Sequence, residues 1–115
     1  MKALPLAMVL EACPEIVNYA PAGTIDNCRK MMMAAAPVRS MLGISPSAYE
    51  DACDVMGQEN VAVVVACILE RAGEVNSAGG YLRDLTVWAK RGAFSLGPVL
   101  MALLRLNGQK GGGAA

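Results

Sequence analysis

Apolar residues fall along the chain in short blocks separated by Gly, Pro and Ser, and within most blocks they recur every three or four positions, the spacing of a helix face. Leu4 to Ala12 reads as a first helix, interrupted at Pro14, with a further turn through Ile16, Val17 and Tyr19 that stops at Pro21 and Gly23. Thr24 is placed to cap a second helix carrying Ile25, Cys28, Met31, Met32 and Ala35. Pro37 either kinks that helix or opens a new turn ending at Leu42, and Gly43 suits the left-handed position that closes a helix.

The second half has clearer starts and stops. Ser45 can accept from a free backbone N–H while Pro46 takes the first-turn position, where no donor is needed; Glu50 and Asp51 complement the positive end of the dipole, and Gly57 closes this helix after Val55 and Met56. Val61 to Ala72 is apolar on every side and is expected as the central buried helix, stopped by Gly73. Its β-branched run Val61, Val63, Val64, Val65 also fits a strand, but length, Ala content and the flanking Glu59, Glu70 and Arg71 favour helix. Asn76 and Ser77 are caps ahead of Gly79 and Gly80, and a helix from Tyr81 to Arg91 ends at Gly92. Ser95 and Pro98 open a last helix through Leu100, Leu103 and Leu104 to Asn107 and Gly108.

Composition supports this reading. The 115 residues are 55% hydrophobic but only 4% aromatic, with eight Met as adaptable fillers, which favours helix-on-helix packing over a sheet. The expected fold is all-α, a compact bundle of about five to seven short helices. It forms one domain over residues 1–108, and a flexible Gly-rich tail follows over 109–115.

Charge and residue inventory narrow the function. Ten Lys plus Arg balance ten Asp plus Glu, whereas domains built chiefly to grip nucleic acid carry a basic excess, so any nucleic-acid contact must be local. The absence of His removes the commonest general base and the Cys/His zinc sites. Cys13, Cys28, Cys53 and Cys67 form no CxxC pair and mostly fall in apolar runs, so they read as reduced core thiols. The first ten residues lack a signal-peptide pattern, and the longest uncharged apolar run, Val61 to Leu69, is far short of the ~20 residues that span a bilayer. A cytoplasmic, membrane-free protein is expected.

The helix Tyr81 to Arg91 is the most informative segment. At about 100° per residue, Tyr81, Leu82, Leu85, Trp88 and Ala89 share one broad face, with Tyr81, Leu85 and Trp88 expected in the core, while Arg83, Val87, Lys90 and Arg91 gather opposite. An ordinary solvated face is the bland explanation. The functional one is a small patch for phosphate or an acidic partner, with Asn76, Ser77, Gly79 and Gly80 at the helix N-terminus adding backbone donors. Asn76 to Gly80 lacks the Lys and spacing of a P-loop, and a tight turn explains its glycines better. Glu50, Asp51 and Asp54 lie within one helix without metal-loop spacing and read as a solvated acidic face. No catalytic constellation, metal site or cofactor motif emerges, so an enzyme is not expected.

Three stretches carry a resemblance in combination: Met41 to Glu50 (MLGISPSAYE), Gln58 to Arg71 (QENVAVVVACILER) and Val75 to Leu85 (VNSAGGYLRDL). With Ala93 to Pro98 (AFSLGP) and Ala12 to Ile16 (ACPEI), they resemble the C-terminal domain of the RepC family, the replication initiators of repABC-type plasmids in alphaproteobacteria. The resemblance covers nearly the whole chain. It implies the C-terminal part of a longer initiator, whose contact with plasmid origin DNA is made by an N-terminal domain outside this sequence. The part present here would contact other copies of itself or replisome and helicase-loading proteins. Tyr81-Leu82-Arg83-Asp84-Leu85 followed by Trp88 is also similar to the Tyr-x-x-x-Ile-x-x-x-Trp motif of DnaD-like domains, with Ala89 at the place that motif gives to Trp. That likeness implies, as the alternative, an auxiliary helical domain binding single- or double-stranded DNA.

Overall fold

The computed structural model describes the backbone of residues 4–114 and the side chains of residues 4–105. The described residues form six α-helices: α1 (Leu6–Ala12), α2 (Cys28–Met41), α3 (Pro46–Met56), α4 (Gln58–Glu70), α5 (Ala78–Lys90) and α6 (Leu96–Ala114). Between α1 and α2 the chain makes two 3-10 segments, Pro14–Tyr19 and Pro21–Gly23, as the proline punctuation demands. No strand occurs among the described residues, and the valine run of α4 is helical.

Side-chain caps set three of these helix starts. Ser45 Oγ accepts from the N–H of Ala48 at 3.2 Å, and Ser77 Oγ from the N–H of Gly80 at 3.1 Å. For α2 the cap is Asn27, whose Oδ1 accepts from the N–H of Lys30 at 2.9 Å, and not Thr24 as the sequence suggested. Thr24 stays extended because Ile25 leaves the turn to enter the core, 8% exposed, before the helix begins. Pro37 neither ends nor divides α2; it lies on the helix's exposed side, where the carbonyl deprived of its partner meets water. At Gly57, φ +89 turns the chain between α3 and α4 with a single residue, a conformation that side chains disfavour.

The core is organised around α4. Every residue from Asn60 to Leu69 is buried, and α2, α3, α6 and the first 3-10 segment pack on it. The two polar groups taken inside are satisfied: Asn60 donates to the Met56 carbonyl at 2.9 Å and Thr86 to the Leu82 carbonyl at 2.8 Å. α6 adds Leu96, Leu100 and Leu103 from one face and lies against α1 and α4, its backbone staying helical to Ala114, past the boundary that Gly108 suggested. The radius of gyration, 13.5 Å, is that of a compact domain of this length, for which about 13 Å is usual. α5 is peripheral, packed on α3, and its outer face is left to solvent.

The cysteines divide. All four are free thiols, but only Cys13 and Cys67 are in the core; Cys53 is half-buried, and Cys28, expected inside, is exposed in the first turn of α2. Among the described residues no helix is long and apolar enough to cross a membrane.

Candidate functional site

α5 is amphipathic, but its buried arc is centred on Leu82 and not on Leu85. Leu82, Leu85 and Thr86 are buried, while Tyr81 and Ala89 are half-buried. Trp88 lies about 120° around the helix from Leu82. It is 48% exposed, and its neighbour Val87 is 43% exposed. The sequence expectation of Tyr81, Leu85 and Trp88 in the core is therefore corrected for Trp88. The buried arc extends the other way instead, to Thr86, whose hydroxyl bonds back to the Leu82 carbonyl and so enters the core without an unpaired donor.

The outward face carries Arg83, Val87, Trp88, Lys90 and Arg91, all exposed, with Asp84 among them. Glu74, in the turn before α5, pairs with Arg71 at 3.3 Å. Arg83, Lys90 and Arg91 form no ion pair among the described residues. The result is an exposed indole on one flank of the outer face, next to Asp84 and Arg91, with Arg83 and Lys90 on the other flank. Part of this has a local rationale, since Lys90 and Arg91 lie at the C-terminal end of α5, where positive charge offsets the dipole.

Asn76, Ser77, Gly79 and Gly80 do not join that patch. They form the N-terminal end of α5, roughly 20 Å of helix away from Arg91. The positive dipole end therefore does not reinforce Lys90 and Arg91. Gly79 and Gly80 lie inside the first turn of α5, which starts at Ala78 and not at Tyr81. A Cβ on Gly80 would sit 3.2 Å from Ser77 Oγ, crowding the capping hydroxyl, whereas one on Gly79 would meet the Gly43 carbonyl only at an ordinary 3.9 Å. Gly43, Ile68, Asn76, Ser77 and Gly79 line a cleft of about 380 Å³ between the start of α5 and the α2–α3 turn. Its capping hydroxyl is already engaged by the helix.

On α3, the helix on which α5 packs, Glu50, Asp51 and Asp54 share the exposed face and form no ion pair among the described residues. Next to them, Met32 and Ala36 of α2 and Tyr49 and Cys53 of α3 wall a groove of about 430 Å³, with Glu50 and Asp54 at its rim. Burial pushes both the Tyr49 hydroxyl and the Cys53 thiol above their ordinary values, so the groove walls stay neutral. Arg39 braces Tyr49, its guanidinium 5.7 Å from the ring centre, and donates to the Ile44 carbonyl at 2.7 Å. Sequence reasoning set the α3 carboxylates aside as a solvated face and did not find the groove, which exists only where α2 and α3 meet. No three His, Cys, Asp or Glu side chains among the described residues converge to hold a metal ion.

The profile of the family described as "Replication protein C C-terminal region" matches residues 5–106. Two curated relatives are each named "Putative replication protein C". The one from Sinorhizobium fredii is 64% identical over 108 residues, covering 94% of this chain, and the one from Rhizobium rhizogenes is 61% identical over 109 residues, covering 95%. The chain spans 27% of the length of each relative. No solved structure matches.

Proposed function

Since the chain belongs to the replication protein C family through its C-terminal region, we propose that it is a non-catalytic contact domain of a plasmid replication initiator. In this reading it supports origin-dependent replication by binding protein, either further copies of the initiator or replisome and helicase-loading components. DNA at the origin is engaged elsewhere in the initiator. The observation that carries the proposal is Trp88, 48% exposed on the outer face of α5 that also carries Arg83, Lys90 and Arg91, none of the three in an ion pair among the described residues. Trp and Arg dominate the energetics of protein interfaces, and an indole left in water by a domain with only one Trp is a contact in waiting. Zero net charge and the acidic face of α3 argue for a protein partner over phosphate.

Trp88 supplies its own test. As the sole Trp it reports directly on this face. Titration with origin duplex and with single-stranded oligonucleotides should leave its emission nearly unchanged at moderate salt. Tight quenching that collapses as salt rises would transfer the function to DNA binding, the DnaD-like alternative. Trp88→Ala in the initiator should fold normally yet fail to maintain the plasmid; normal maintenance would remove α5 from the function.

A further inference from the structure

Two surfaces of this chain are left unused, and they complement each other. α5 presents Trp88 with Arg91 about 60° around the helix from it and Arg83 and Lys90 on the far flank of the same outer face; α2 and α3 present a groove of about 430 Å³, walled by Met32, Tyr49 and Cys53 and rimmed by Glu50 and Asp54. Within one chain the two do not meet, because no residue of α5 lines the groove. We propose that α5 of one copy docks in the α2–α3 groove of a second copy, Trp88 seating in the groove while Arg91, one turn further along, pairs with Glu50 and Asp54. This rests on the reading of the α5 face as a contact surface and names its occupant.

Shape and charge point to the same partner. An indole gains most from a neutral wall of sulfur and aromatic carbon, which Met32, Cys53 and Tyr49 supply. The wall is preformed, because Arg39 stacks on Tyr49 and is itself tied to the Ile44 carbonyl, so little ordering remains to be done on binding. Arg91 of α5 and Glu50 and Asp54 of α3, none in an ion pair among the described residues, then come together, the arrangement that selects a partner and fixes its orientation. With no net charge, two copies approach without mutual repulsion.

A knob and a groove on different surfaces permit a complementation experiment. Sedimentation equilibrium of the chain should show reversible association that weakens as salt rises. Trp88→Ala/Arg91→Glu destroys the knob and keeps the groove; Glu50→Lys/Asp54→Lys does the reverse. Each double variant alone should be monomeric, and an equimolar mixture should form a one-to-one complex, since one intact knob then faces one intact groove. All substituted positions are exposed, and circular dichroism melting confirms that each variant folds. Should the first variant melt early, Arg91→Glu alone replaces it. A wild-type chain that stays monomeric, variants that still associate, or a mixture that does not each overturn the proposal. So does Trp88 quenching by an oligonucleotide without self-association. A monomeric chain whose Trp88→Ala variant still loses plasmid maintenance would sink self-association alone and leave the contact reading of α5 intact.

Discussion

The Sγ atoms of Cys13 and Cys67 lie 3.7 Å apart in the core, joining the turn after α1 to the last turn of the central helix. Both are free thiols. Their contact ties the N-terminal segment to α4 across 54 residues of sequence, and their burial sets them apart from Cys53 and Cys28 in access. With a small thiol reagent, Cys28 should react at once, Cys53 slowly, and Cys13 and Cys67 only on unfolding. Mass spectrometry of the partly labelled native protein checks this. Rapid labelling of Cys67 would mean that α4 is not the shielded centre.

The same contact makes the fold sensitive to alkali. The Cys13 thiol is held well above the ordinary 9.0, first by its hydrogen bond with Cys67 and then by burial. Burial also raises Tyr49 and Cys53. The native state therefore keeps protons that the unfolded chain releases, and stability falls as pH climbs through the unfolded values. The urea midpoint should hold steady from neutrality to about pH 8 and decline beyond it. Cys13→Ala should be less stable at neutral pH by about 1 kcal/mol yet show a shallower decline. An equal slope in that variant would show that Cys13 is not the source.

Ala66 is fully buried in α4, with α2, α3 and α6 packed around that helix. Ala66→Asp places a carboxylate where neither water nor a cation reaches it, at a cost of about 3–5 kcal/mol, a large share of the 5–15 kcal/mol that holds a domain of this size together. The variant should lose its cooperative melting transition. A native-like melt by circular dichroism would remove α4 from the centre of the fold.

Local chemistry was legible in the sequence, and long-range packing was not. Ser45 with Pro46, Ser77, and the glycines at 43, 57 and 92 mark helix ends by interactions within a few residues, and each does so in the structure. Thr24 and Asn27 are both competent caps. The choice between them is made by Ile25 entering the core, which no local rule reveals. Trp88 misled for a related reason: α5 lies on α3 through Leu82 and its neighbours, and the hydrogen bond from Thr86 to the Leu82 carbonyl lets a polar side chain join the buried arc. The α2–α3 groove left no local trace, being made by two helices whose contact depends on the whole fold.

The remaining prediction separates fold from function on α5. Arg83 and Lys90 are exposed, occupy the outer face of the helix, and form no ion pair among the described residues. Reversing both to Glu should change stability little, because exposed charges of this kind contribute only about 0–1 kcal/mol. Lys90 is the costlier of the two, since a carboxylate in the last turn opposes the helix dipole by a few tenths of a kcal/mol. The melting temperature of Arg83→Glu/Lys90→Glu should therefore stay within a few degrees of the parent. Plasmid replication by the initiator carrying it should be abolished, because the charge that orients a partner on this face has been inverted. The salt dependence of the loss is informative as well: added salt screens the inverted charge, so residual contact by the variant should improve with salt while contact by the parent weakens. If the double variant folds, replicates and binds as the parent does at every salt concentration, Arg83 and Lys90 are solvated bystanders and the contact surface lies off α5.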